Sequence, residues 1–326
     1  MKLGFLKVAA LAAAVFVPGL SAAEDWPTRP VTVIVPATAG GSADTLARAV
    51  FQYVSEDLGQ QFVIDNRGGA GGSIGASAAA KAPNDGYTFL FTPIGVAVIN
   101  KLVYDDLDFD FDTAFTPVIQ MTDTSVIIVS NPGFEAKTMD DLVALARAEP
   151  GQLNVGIPGI GSMPHIVLAE IMRRTGIEMN IIPYKGGGPL ANDLVAGQIM
   201  VGVDGTAGYT GHIRDGSLHG IAVAFGNRVA ALPDVPAVNE SAAPELADFG
   251  ASGWQAIWAP AGTSPEIVAK LNASINAYLA SDAGKEFLAS LSLDPVGGAP
   301  EVLGEAARSA TELCRPVIES GAVKLD

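Results

Sequence analysis

Val31-Thr32-Val33-Ile34-Val35-Pro36-Ala37-Thr38-Ala39-Gly40-Gly41-Ser42-Ala43-Asp44 is the stretch on which the fold turns. A β-branched run stops at a proline, glycines follow, and from Ala43 apolar residues recur at helical spacing (Leu46, Val50, Val54, Leu58). A period-two strand passing through a glycine turn into a 3.6-period helix is the unit of an α/β fold. The pattern predicts a strand over 31–36 and a helix over 43–58.

Outward from this unit the alternation repeats. Strands are expected at 62–65 and 88–92, with an Ala-rich helix over 74–82 between them. A second series opens at 125–130, followed by a helix over 138–148 whose Asp140 and Asp141 suit the helix dipole. Its further strands are expected at 153–157, 180–183, 199–203 and 220–224. A last strand at 254–259 and a helix over 265–279 complete the reading. Two such series predict two Rossmann-like lobes, with the chain crossing near Thr124 and returning near Ser252. The expected division is 24–123 plus 252–326 for one lobe and 124–251 for the other. Crossovers made of strands imply a hinge.

The N-terminus is expected to be removed. Lys2 and Lys7 flank an apolar run over 8–20, and Ser21-Ala22-Ala23 offers small residues for cleavage before Glu24. At about 13 residues the run is short of the roughly 20 that span a bilayer, so it reads as a secretory signal peptide (1–23) and the chain as periplasmic. Beyond it, 17 basic side chains stand against 35 acidic ones, a net charge near −18. Such a chain is not expected to partner nucleic acid. Cys314 is the only cysteine, so no intrachain disulfide can form.

Four loops join strand ends to helix starts through small residues: 36–44, 66–75, 157–165 and 183–189. Glycines admit a ligand close to the backbone, and the first amides of a helix lack internal acceptors. An anion site without arginine follows from these two facts. In open α/β sheets these loops gather at the carboxyl ends of the strands. Each can equally be a turn plus cap, with Ser42 or Asp44, Ser162 and Pro189 as the capping or first-turn residues. Three of them are taken as binding loops. The Gly68–Gly75 loop is taken as a close-packing device.

Other chemistry is weaker. Gly71-Gly72-Ser73-Ile74-Gly75 matches the G-x-S-x-G elbow, with His165, His212 and His219 downstream, so a secreted serine hydrolase of α/β type is the alternative. Five residues, 66–70, separate that motif from its strand, whereas the elbow sits directly on a strand end. The dinucleotide G-x-G-x-x-G spacing is absent. No cofactor is implied. No metal site is expected either: Asp105, Asp106, Asp108, Asp110 and Asp112 read as a solvated loop, without the central glycine of a calcium hand.

Ordered motifs then connect the whole chain to a known family. They begin with Trp26-Pro27-Thr28-Arg29-Pro30-Val31, the segment from Ala39 to Arg48, and Asn66 with Gly69–Gly75 and Asp85-Gly86-Tyr87-Thr88. Pro150-Gly151-Gln152-Leu153, Gly159–Ser162, Pro183-Tyr184-Lys185-Gly186 and Ala196-Gly197-Gln198 follow. Leu232-Pro233-Asp234-Val235-Pro236, Trp254 and Ala259-Pro260-Ala261-Gly262-Thr263 close the series. The chain resembles the Bug family, periplasmic solute receptors of tripartite tricarboxylate transporters. The resemblance implies a type II periplasmic-binding fold that closes on a small organic carboxylate, no enzymatic activity, and delivery to small and large integral-membrane subunits. A monomer is expected. A ligand-sensing receptor for a signalling partner would have nearly the same chemistry. Two departures bear on the ligand: Ala237 replaces the family's usual Thr, and the segment from Thr92 to Ala97 is apolar where relatives often carry polar groups.

Carried over residue by residue, the resemblance makes Ala39, Gly40, Gly41 and Ser42 one carboxylate clamp, with Gly161 and Ser162 acting from the facing lobe. Tyr184, Lys185 and Gly186 line the cleft, with Lys185 at its lip, and Thr92 and Pro93 form its wall. Asp204 accepts from a ligand hydroxyl, ammonium or water, or else caps a helix. Asp44 is expected to cap the first helix rather than touch ligand.

Overall fold

The computed structural model describes residues 26–321 apart from 38, 41, 105, 185 and 292, with Ser42 described through its backbone. The expected signal segment lies outside the described residues. The first unit forms as its sequence dictates, with β1 (Val31–Val35), α1 (Ser42–Leu58), β2 (Phe62–Asn66), α2 (Ser73–Ala80) and β3 (Thr88–Pro93). β1 lies between β2 and β3, parallel to both. Val31, Val33 and Val35 are fully buried, and Leu46, Val50 and Val54 bury the matching stripe of α1 against them. Truncating one such side chain, Leu46→Ala for instance, costs about 2–5 kcal/mol.

β4 (Phe115–Ser130) is the element that joins the molecule. The chain continues through α3 (Met139–Ala148), β5 (Asn154–Ile157), α4 (Met163–Thr175), β6 (Asn180–Pro183), α5 (Gly187–Val195), β7 (Val201–Gly205), α6 (Thr210–Arg214) and β8 (His219–Val223). α3 starts one residue later than expected because Thr138 is its cap. The Thr138 hydroxyl accepts from the Asp141 amide (3.1 Å), and the Asp141 carboxylate accepts from the Thr138 amide (3.0 Å). Then come β9 (Ser252–Pro260), α7 (Pro265–Ala280), α8 (Asp282–Ser290), β10 (Asp294–Pro295) and α9 (Pro300–Glu319).

One half of β4 pairs with β9, from Phe115↔Pro260 to Ser125↔Ser252, and β9 pairs onward with β3. From Val126 the same strand pairs with β7 and β8 instead, and β7 lies against β5, which lies against β6. A single curled sheet thus carries two α/β halves, with β4 and β9 crossing between them. The pairing of β4 passes from β9 to β7 and β8 after Ser125, which stands opposite Ser252. The sequence reading began this strand ten residues late, at Ser125. Pro117 and two register shifts, at Pro117/Ile119 and Gln120/Thr122, break the alternation that marks a strand.

In the second half, Gly156 and Gly202 let α5 settle onto the sheet. A Cβ at Gly156 would come within 2.3 Å of Leu190 Cδ1. α9, absent from the sequence reading, buries Leu303, Ala310, Leu313, Cys314 and Val317. Burial pushes the Cys314 thiol up to about 12, leaving it protonated and inert.

Candidate ligand-binding cleft

The loops at the carboxyl ends of β1 and β3 rise from one half, and those of β5, β6 and β7 from the other. In the β1 loop, Gly40 takes φ +83°, a left-handed conformation that suits glycine. Its amide donates to Asp44 Oδ2 at 2.8 Å. The buried Asp44 carboxylate also accepts from Arg48 Nε (3.0 Å) and Nη2 (2.9 Å), and from Asn66 Nδ2 (3.0 Å). The Arg48 hydrogen bond leads the contacts that hold Asp44 down to about 2. Asp44 therefore clasps the loop to its own helix and to β2, and all of its acceptor capacity serves the fold. Asn66 also donates to Ala37 O at 3.3 Å, tying the same loop a second time. Ala39 and Gly40 are exposed, while Gly41 lies outside the described residues.

The glycine loop after β2 packs rather than binds. A Cβ on Gly75 would lie 2.7 Å from Arg67 O and 3.0 Å from Pro36 Cα. Ser73 Oγ accepts from Asn100 Nδ2 at 3.0 Å. The three histidines are engaged elsewhere: His165 with Gly161, His212 with Ser217 and His219 with Lys137 O. Among the described residues, no serine–histidine pair of a hydrolase forms around Ser73.

At the end of β3, Thr92 stands opposite Ala256 and is fully buried. Pro93 stands opposite Gln255, and both are half-buried. Of the expected wall residues only Pro93 is accessible, and beside it stands Gln255, a residue the sequence reading did not single out. Gln255 Oε1 is buried without a partner.

Across the cleft, Ser162 caps α4. Its hydroxyl donates to Gly159 O (2.7 Å) and accepts from the His165 amide (3.4 Å). The Gly161 amide donates to His165 Nδ1 at 3.1 Å, which places the ring proton on Nε2. Burial lowers the pKa of His165, keeping it neutral. Gly161 and Ser162 thus spend their donors inside the loop. Pro164 has no amide hydrogen, so Met163 offers the open amide at this helix start. No acidic side chain occupies the first turn of α4, and its positive dipole end is uncompensated.

The β5 and β6 loops are zipped together. The Tyr184 amide donates to Ile157 O and the Gly186 amide to Pro158 O, each at 2.8 Å. The Tyr184 hydroxyl donates to Asp193 Oδ2 at 2.9 Å. Lys185 lies outside the described residues. The first amides of α5, at Gly187 and Gly188, are those left open. Asp204 already faces that helix start. Its Oδ1 accepts from the Gly205 amide (2.7 Å) and its Oδ2 from the Tyr209 hydroxyl (3.1 Å). Burial raises the pKa of both Asp204 and Tyr209. Asp204 caps no helix with its side chain. It matches the α5 dipole with a carboxylate, as Asp44 does in the first turn of α1, so the anion-favouring end left open is that of α4.

On the crossing strands, Asp123 pairs in register with Trp254 of β9 and Asp294 of β10. Desolvation pushes its carboxyl up to about 6, against hydrogen bonds from Ser252 Oγ (3.3 Å) and Gln120 Nε2 (2.5 Å). Met163, Gly187 and Gln255 escaped the sequence reading for one reason. It stopped each loop at its glycines and did not follow the donors into the next helix or the strand opposite.

Comparison with known proteins agrees with this architecture. The chain matches the family described as tripartite tricarboxylate transporter family receptor, TctC, over residues 46–320. It is 35% identical over 303 residues to Protein BugT of Bordetella pertussis, covering 91% of this chain and 89% of that protein. It is similar to the solved structure of R. palustris Rpa4515 with adipate (34% identity, TM-score 0.72, 92% of this chain and 99% of that one). It is also similar to MatC (Rpa3494) from Rhodopseudomonas palustris with bound malate (29% identity, TM-score 0.68, 90% and 100%). The chain belongs to the tripartite tricarboxylate transporter receptor family, the periplasmic solute-binding receptors that include the Bug proteins.

Proposed function

We propose that this receptor captures a small carboxylate in the cleft between its two halves and delivers it to small and large integral-membrane transporter subunits. The observation that supports the reading is the crossing of β4 and β9 between two α/β halves, with glycine loops at the strand ends of each and an open helix N-terminus at α4. Adipate and malate in the related structures favour a dicarboxylate as the ligand class. One lobe is assigned to 24–123 plus 252–326 and the other to 124–251. Residues 1–23 act as a signal peptide cleaved near Ala23, and the mature receptor works as a monomer in the periplasm.

Ala39, Gly41 and Ser42, with the open α4 start at Met163, hold the anion through their amides, while Gly40, Gly161 and Ser162, whose amides are engaged within their loops, shape the two turns. Pro93 and Gln255 form the floor, Tyr184, Lys185 and Gly186 the lip, and Thr92 supports the wall from beneath. Asp204 accepts from a ligand hydroxyl or from water. No covalent step is assigned to any of these groups.

A thermal-shift screen of the mature protein against dicarboxylic acids tests this. A true ligand at 100 times its dissociation constant adds about 2.7 kcal/mol of stability. Absence of any stabilising carboxylate, together with ester hydrolysis that Ser73→Ala abolishes, would replace the receptor reading with the hydrolase one.

A further inference from the structure

The chain carries a further concavity between its halves whose lining shares no residue with those proposed to hold the ligand. A cavity of about 340 Å³ lies between α8 and β10 on one side and α6 with the segment after β7 on the other. Lys285 projects from α8, Arg214 from α6, and Ser125, Thr206, Thr210 and Asp294 complete the lining.

Charge makes this cavity unusual. In a chain so rich in carboxylates nearly every cation finds one. Among the described residues, only Lys137, Arg214, Lys270 and Lys285 lack a carboxylate partner. Two of those four face this one cavity from opposite halves. Arg214 uses one donor on Ala231 O at 2.9 Å, which holds the guanidinium at the cavity edge and leaves its other donors open. Lys285 sits near the N-terminal end of α8, where a cation opposes the helix dipole, so helix stability does not account for it. The hydroxyls close their own bonds: Ser125 Oγ to Thr206 Oγ1 (2.7 Å), Thr206 Oγ1 to Ser125 O (3.0 Å) and Thr210 Oγ1 to Thr206 O (3.1 Å). The free donors of the cavity are therefore its two cations. Asp294 is the one opposing charge in the lining and forms an ion pair with neither.

We propose that this cavity is a second anion site, taking a small multivalent oxyanion that bridges Arg214 and Lys285. A monovalent anion can neutralise only one of the two cations, whereas phosphate or a tricarboxylate spans both. Because the cations ride on different halves, the bound anion ties the halves together behind β4. Its affinity is then linked to their relative rotation, and ligand in the main cleft and anion in this cavity alter each other's binding by the same factor. This inference stands whether or not the main cleft takes a carboxylate.

Calorimetric titration with inorganic phosphate, citrate and acetate tests it. The wild-type protein should bind phosphate or citrate, whichever is tighter identifying the anion type, and should not bind acetate in this cavity. Arg214→Gln and Lys285→Gln should each weaken that binding by about five-fold or more, and Lys285→Arg should retain it. Lys270→Gln, which removes another lysine without a carboxylate partner but outside this cavity, should leave it unchanged. Equal phosphate and citrate binding by wild type and an Arg214→Gln/Lys285→Gln double variant of unchanged melting temperature would overturn the proposal. So would an equal loss of binding in Lys270→Gln.

Discussion

Gly187 and Asp204 leave each other no room: a Cβ at position 187 would lie 2.4 Å from Asp204 Oδ2. The glycine lets a carboxylate sit against the start of α5, where Tyr209 and the Gly205 amide hold it. Gly187→Ala should displace Asp204, break the 3.1 Å bond to Tyr209 and weaken ligand binding by about ten-fold, the equivalent of one charge-assisted hydrogen bond. Tyr209→Phe removes the same bond without crowding and should reproduce part of the loss. Titration of both variants checks this, and wild-type affinity in both would exclude Asp204 from the site.

The fold was legible where one physical signal dominated. β1 and α1 announce themselves through fully buried valines and the Leu46–Val50–Val54 stripe. β4 was half hidden, because Pro117, two bulges and the charge of Asp123 interrupt its alternation. The buried face of α9 does recur at helical spacing (Leu303, Ala310, Leu313, Cys314, Val317), but small and charged residues dilute it. In the site, the loops were legible from their glycines while the spending of donors was not. That Asp44 takes up Gly40, or His165 takes up Gly161, depends on three-dimensional closure of each turn. Gln255 comes to lie beside Pro93 only because β9 runs antiparallel to β3.

Asp123 makes a pH prediction. Its pKa is raised to about 6 in the fold, above the ordinary carboxylate value near 3.9. The native state therefore binds the proton more tightly than the unfolded one, and stability should rise as pH falls from 7 towards 5. Asp44 and Glu240, held down to about 2, act in the opposite sense and cost stability only at lower pH. Asp123→Asn should be more stable than wild type at pH 7 and flatten the profile between 5 and 7. Thermal melts across that range decide it; a variant less stable than wild type at pH 7 would contradict the assignment.

Salt should do little. The net charge near −18 repels an anionic ligand at long range, while the proposed contacts are short-range amides. Raising ionic strength should leave carboxylate affinity flat or slightly improved. For the same reason Lys185→Ala should cost about 1 kcal/mol or less, as exposed pairs do. A steep loss of affinity with salt would mean that side-chain charge does the holding.

The crossing of β4 and β9 predicts motion. Small-angle scattering with saturating ligand should give a smaller radius of gyration than the free protein, because the halves close by rotation about the strands near Ser125 and Ser252. An unchanged radius would leave the two halves as a rigid frame.

The most direct measurement is calorimetric titration of the mature protein with one dicarboxylic acid from the stability screen, in parallel with its dimethyl ester and with EDTA present. The account predicts saturable one-to-one binding of the acid once the second anion site is removed by Arg214→Gln/Lys285→Gln, no binding of the ester, and no effect of the chelator. Equal binding of acid and ester, or loss of binding on chelation, would contradict a cleft that holds a carboxylate through backbone amides.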